Sequence, residues 1–146
     1  MRLVLDTDKE TRFTVGSRAS LSKTITETDV AAYASLSGDL SPLHVDADYA
    51  RKTRFGRRTV HEMLVAGLIT TVLSTRLPGY GALCLSQQLE FLAPTFVGDT
   101  ITAQVEVAAW QPEKNLVTLK TECSNQDARQ VITGQAVLML IKEVME

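Results

Sequence analysis

Cysteine and histidine are scarce in this chain of 146 residues, at two each. Cys84 and Cys123 stand apart, with no C-x-x-C pairing and no histidine near them in sequence. That removes the ligand spacing of a structural zinc site, and both are expected to be reduced packing residues. No metal and no cofactor is expected. Charge of one sign is lacking too: 15 Lys and Arg face 17 Asp and Glu, a net charge of −2. With a pI of about 5.7 there is no basic field to attract nucleic acid. No run reaches the roughly 18 apolar residues that a spanning helix needs, so no membrane association is expected. The start, Met1-Arg2-Leu3-Val4-Leu5-Asp6, places an acid where a signal peptide has its apolar stretch. A cytoplasmic location is the expectation. Internal repeats and low-complexity segments are absent.

What is present suits one folded domain over residues 1–146. Apolar residues make up 45% and charged residues 22%, ordinary values for a globular chain long enough to bury a core. Residues 1–14 lack periodicity and are expected to form a loosely held arm. Alternation over 17–25 predicts a first strand. Thr26, three before Asp29, predicts a capping box, followed by a helix with Val30, Tyr33, Ala34 and Ser37 at helical spacing and its end at Gly38. Asp46 is placed to cap a short helix over about 47–52. The segment 62–75 predicts one long helix, apolar almost all round and therefore buried on most sides. Alternating stretches then predict strands over 83–91, 100–110, 116–123 and 130–141, joined by short loops into an antiparallel meander. Helices first and strands in a block make the class α+β.

The chain is organised around Ser37 to Met63. Asp39 and His44 lie five apart with Pro42 between them, a spacing that does not stack side chains on one helical face. A rigid turn is expected: Gly38 can take a conformation barred to other residues, and Pro42 pushes Ser41 toward an extended one. Val60-His61-Glu62-Met63 then opens the long helix. Between the two motifs Arg51, Lys52, Arg54, Arg57 and Arg58 crowd together, either a solvated basic loop or a landing patch for phosphates, which arginine grips with a bidentate fork.

Gly38-Asp39, Ser41-Pro42-Leu43-His44 and Val60-His61-Glu62-Met63 together resemble the MaoC-like (R)-specific enoyl-CoA hydratases of the hot dog fold, and the resemblance runs from about Val15 to Lys142. It implies one antiparallel sheet wrapped around the long buried helix, in a homodimer. It also implies that Asp39 and His44 are the catalytic pair, acting on an acyl-CoA thioester. Where the family has glycine after the second histidine, this chain has Glu62. The family's oxyanion donor would then be the Glu62 backbone N–H, with a side chain that is either harmless at a helix N-terminus, where acids are favoured, or crowds the thioester and repels the enolate. Thr70 falls where relatives often carry serine. It and Ser41 join Arg51, Arg54 and Arg57 as expected substrate contacts, and His61 is expected to orient the turn before the helix.

Hydrating an enoyl thioester needs a base for the attacking water, a proton for C2 and a donor to the enolate oxygen. Asp39 suits the base, and His44 suits a donor or a water-holder. The leading expectation is a hydro-lyase interconverting trans-2-enoyl-CoA and (R)-3-hydroxyacyl-CoA. Two alternatives stay open: a (R)-3-hydroxyacyl-[acyl carrier protein] dehydratase, and a non-catalytic acyl-CoA-binding hot dog protein, which Glu62 makes credible.

Overall fold

The computed structural model describes residues 2–3, 13–141 and 143–144. Its elements run β1 (Arg2–Leu3), β2 (Arg18–Thr24), α1 (Glu27–Ser37), α2 (Pro42–Val45), α3 (Ala47–Arg51), α4 (Glu62–Thr75), β3 (Ala82–Phe91), β4 (Thr100–Gln111), β5 (Leu116–Ser124), β6 (Gln130–Leu140) and β7 (Glu143–Val144). Part of the expected loose arm is tied down. Arg2–Leu3 pairs antiparallel with Glu143–Val144, and Phe13 meets Trp110 edge to face with ring centroids 5.0 Å apart. Positions 4–12 of that arm lie outside the described residues.

Local chemistry explains the helix ends. Thr26 accepts from the Asp29 N–H while the Asp29 carboxylate accepts from the Thr26 N–H, the reciprocal capping box that satisfies two otherwise open donors. Gly38 closes α1 in the left-handed region at φ 78°, returning its N–H to the Ala34 carbonyl. Asp46 caps α3 through the N–H groups of Asp48 and Tyr49. One element was not foreseen: α2, a single turn with Pro42 at its start, which carries His44. Proline suits a helix's first turn, where its missing N–H has no partner to lose.

The main sheet has five strands in the order β2-β4-β5-β6-β3, every neighbouring pair antiparallel. Only β4, β5 and β6 form the expected meander. β3 precedes β4 in the chain yet pairs with β6 at the far edge, because residues 92–99 carry the chain across, bridging at Thr59 and Phe96 on the way. β3 and β6 approach so closely at Gly134 that a Cβ there would lie 1.9 Å from the Gln88 carbonyl oxygen.

The sheet wraps α4, which spans the expected residues but not with the expected burial. Val65, Ala66, Leu68, Ile69, Val72 and Leu73 are buried, while Met63, Gly67, Thr70, Thr71 and Ser74 form an exposed strip. Hydropathy along the segment hides this, since methionine, glycine and threonine do not read as a polar face. The buried side meets Ile101, Ala103, Val105 and Val107 of β4 and Val117 and Leu119 of β5 in one cluster. Burying each such large aliphatic side chain contributes about 1.5–3 kcal/mol. Cys123 belongs to that cluster, whereas Cys84 is exposed, contrary to the packing role expected of it.

Candidate active site

Three segments converge where α1 ends, α2 turns and α4 begins. A donor atom from each of Asp39, His44 and His61 lies within 4.8 Å of the others. Asp39 is exposed, and its Oδ1 accepts from the Ser41 N–H at 3.1 Å, which fixes the loop between Gly38 and Pro42. Ser41 is extended, at φ −52° and ψ 131°, as a residue before proline should be. Its side chain is exposed and makes no cap.

His44 is 6% exposed, a core residue rather than a surface turn residue. Its Nδ1 lies 2.7 Å from the Thr59 carbonyl oxygen. A carbonyl only accepts, so Nδ1 carries the proton and Nε2 of the neutral ring presents a lone pair. His61 has the opposite arrangement. It is 2% exposed, and its Nε2 lies 2.9 Å from the Asp39 carbonyl oxygen, so Nε2 carries the proton. Its Nδ1 is buried with no partner among the described residues, a condition that costs about 1–3 kcal/mol.

The imidazoles of His44 and His61 stack, with centroids 4.0 Å apart and planes 28° apart, and the Tyr33 ring meets His61 in a tilted contact at 4.8 Å. Asp39, His44 and His61 are also the residues that could hold a metal ion. Face-to-face rings, however, send their free lone pairs along nearly parallel planes and do not converge them on one tetrahedral ion. The arrangement suits a water held between Asp39 and His44.

α4 begins beside this cluster. His61, its N-cap residue, makes no side-chain cap, so the N–H groups of the first turn keep no side-chain acceptor from their own cap. The Glu62 amide therefore stands at the positive end of a 14-residue helix. The Glu62 side chain is exposed and lines a small cleft of about 70 Å³ with Leu43, Thr59, Val60, Val65 and Phe91. Thr70 lies on the exposed strip of α4, and no hydrogen bond ties its hydroxyl to Asp39 or His44 among the described residues.

The basic run divides. Arg51, Arg57 and Arg58 line an open groove of about 350 Å³ with Glu27, Ala47 and Gly56. Arg51 is paired with Asp48, and Arg58 with Glu27. Arg57 lies over the Phe96 ring at 3.8 Å with no carboxylate partner among the described residues. Arg54 lies over Phe55 at 5.0 Å and is not among the groove's lining residues, where Arg58 stands instead. Arg58 belongs to the basic run expected to meet phosphates, although it was not among the expected substrate contacts, and sequence reading missed the Thr59 carbonyl altogether. A backbone acceptor leaves no side-chain signature to read.

Comparison with known proteins adds a second line. The family model described as MaoC like domain matches residues 10–130. An (R)-specific enoyl-CoA hydratase of Rhodospirillum rubrum is 49% identical over 125 residues, 86% of this chain and 86% of that protein. The solved (R)-hydratase from A. caviae involved in PHA biosynthesis superposes with a TM-score of 0.86 at 44% identity, covering 88% of this chain and 97% of that one. A mitochondrial 3-hydroxyacyl-[acyl-carrier-protein] dehydratase of Solanum lycopersicum is more distant, 37% identical over 134 residues, 90% of this chain and 80% of that protein.

Proposed function

The chain belongs to the MaoC-like domain family, and from that membership we propose that it is an (R)-specific enoyl-CoA hydratase, a hydro-lyase that interconverts trans-2-enoyl-CoA and (R)-3-hydroxyacyl-CoA. The observation that carries the chemistry is the fixed tautomer of His44. With Nδ1–H engaged by Thr59, Nε2 is an acceptor, so a water can donate one hydrogen bond to His44 and one to the Asp39 carboxylate. As the water oxygen bonds to C3, one proton passes to this pair and the π electrons move onto the thioester oxygen. The enolate then takes a proton back at C2, and both side chains return to their starting state. Nothing is oxidised or reduced, so the step calls on no redox cofactor. The Glu62 N–H is the donor to the enolate oxygen, where a well-placed donor is worth about 10² to 10³ in rate.

The groove lined by Arg51, Arg57 and Arg58 is the place for the coenzyme A phosphates, with Arg57 holding a charge that no carboxylate neutralises among the described residues. Arg54, Ser41 and Thr70 remain weaker candidates for substrate contact, being exposed but outside that groove. The whole chain, 1–146, works as a single domain in the cytoplasm, a setting that suits its two free thiols. No helix among the described residues is long and apolar enough to cross a membrane.

A homodimer is part of the proposal. Among the described residues the sheet has two open edges, and β2 shows solvent Arg18, Ser20, Ser22 and Lys23, the polar dress that discourages pairing. β3 instead exposes Leu83 and Leu85, each 51% accessible, and two-fold pairing of that edge covers both copies.

The deciding experiment adds crotonyl-CoA to purified protein and follows the enoyl absorbance. A fall, with a product oxidised by an (R)-specific and not an (S)-specific 3-hydroxyacyl-CoA dehydrogenase, is expected. Binding without turnover would mean an acyl-CoA carrier. Turnover of crotonyl-acyl carrier protein alone would establish the second reading, which the tomato relative favours.

A further inference from the structure

We infer that His61 is a positioning residue that sets the distance between the Asp39 carboxylate and the oxyanion donor, and so is needed for turnover rather than for folding alone. The inference rests on the hydratase reading and goes beyond orienting a turn. Asp39 stands in a loop whose other hydrogen bonds are all local: its N–H donates to Ser37 Oγ, the Leu40 N–H to the Gly38 carbonyl, and the Ser41 N–H to Asp39 Oδ1. Such bonds shape the loop but do not say where it sits relative to α4. The bond from His61 Nε2–H to the Asp39 carbonyl oxygen, at 2.9 Å across 22 residues, does. His61 is also the N-cap residue of α4, so the backbone of the same residue leads directly into the Glu62 N–H. One residue thus grips the base's own peptide with its side chain and carries the oxyanion amide on its main chain.

Two further observations point the same way. The His61 ring stacks on His44 at 4.0 Å, so it also supports a face of that ring and limits its tilt. And a residue needed at 61 only to fill space would be apolar. Among the described residues, imidazole here leaves Nδ1 buried and unpartnered, and its one hydrogen bond is the one to Asp39.

Three variants and one spectrum test this. His61→Leu fills the volume without the donor, and His61→Gln keeps a donor N–H near the Nε2 position. His61→Leu is expected to lower kcat by about 10²-fold, the loss that a misplacement of about 1 Å produces, with KM changed less than about threefold. His61→Gln is expected to recover most of that loss, and Tyr33→Leu, which removes only the flanking ring, to leave kcat within about threefold of wild type. The spectrum needs no variant. With two histidines in the chain, ¹⁵N-imidazole correlation should show one ring protonated at Nδ1, His44, and one at Nε2, His61. Wild-type kcat in a folded His61→Leu protein, equal losses in the Leu and Gln variants, or an Nδ1-protonated His61 would each overturn the inference. Wild-type turnover of crotonyl-CoA is a separate reading, so failure of the hydratase assignment would be told apart from failure of this one.

Discussion

Asp39 and His44, the proposed catalytic pair, differ in what their loss does to the fold. Asp39 is exposed, and an asparagine in its place still offers Oδ1 to the Ser41 N–H. Asp39→Asn should therefore cut kcat by about 10² to 10⁴ while leaving the melting temperature unchanged. His44 is buried, so His44→Ala loses activity and also leaves the Thr59 carbonyl without its donor, which should cost about 1–3 kcal/mol in urea unfolding. With Asp39 exposed and His44 buried, only Asp39→Asn is expected to keep full stability. Glu62 can be tested in the opposite direction. Glu62→Gly clears the side chain from the cleft beside the helix start and should raise turnover of enoyl-CoA, at a stability cost of roughly 0.5–1 kcal/mol. Lower turnover in a folded variant would show that the carboxylate has a role of its own.

Cys123 is a separate residue-scale case. Burial pushes its thiol from the ordinary 9.0 up to about 12, with a smaller push from the Glu122 charge. A raised folded value means stability is fully present below pH 9.0 and is lost as pH rises toward about 12. Cys123 should resist alkylation in the native protein and react only on unfolding, as a mass spectrum would show.

At the scale of elements, α1 delivers Asp39, and both its ends are set by side chains that the sequence displays. Its capping box holds the Asp29 carboxyl below its ordinary 3.8, chiefly through the Thr26 N–H and then through the Lys23 side chain. A depressed value means this contribution is present above pH 3.8 and fades as pH falls through the folded value. Thr26→Ala should lower the unfolding free energy by about 1 kcal/mol, read from the urea midpoint. α4 was legible in its limits and not in its faces. Its residue types announce a helix, but which side the sheet covers depends on strands that lie as far off as β6.

At the scale of the molecule, the proposed dimer rests on the β3 edge. Light scattering at micromolar concentration should give about twice the 16.0 kDa chain mass. Leu83→Lys on the exposed edge should shift that toward the monomer and lower activity with it. A wild-type monomer with full activity would overturn the proposed dimer.

The amino-acid sequence by itself determined what local physics controls. The Asp39/His44 spacing around Pro42, the caps at Thr26, Gly38 and Asp46, the span of α4 and the alternation of β4 and β5 each follow from residue type and near neighbours. Only the tertiary structure decided that His44 is buried, that the Thr59 carbonyl sets its tautomer, that His61 holds Asp39 across 22 residues, and that β3 leaves its neighbour β4 for the opposite edge. Those features depend on backbone carbonyls and on pairing between distant segments. Neither is encoded in a side chain that a reader of the sequence can see.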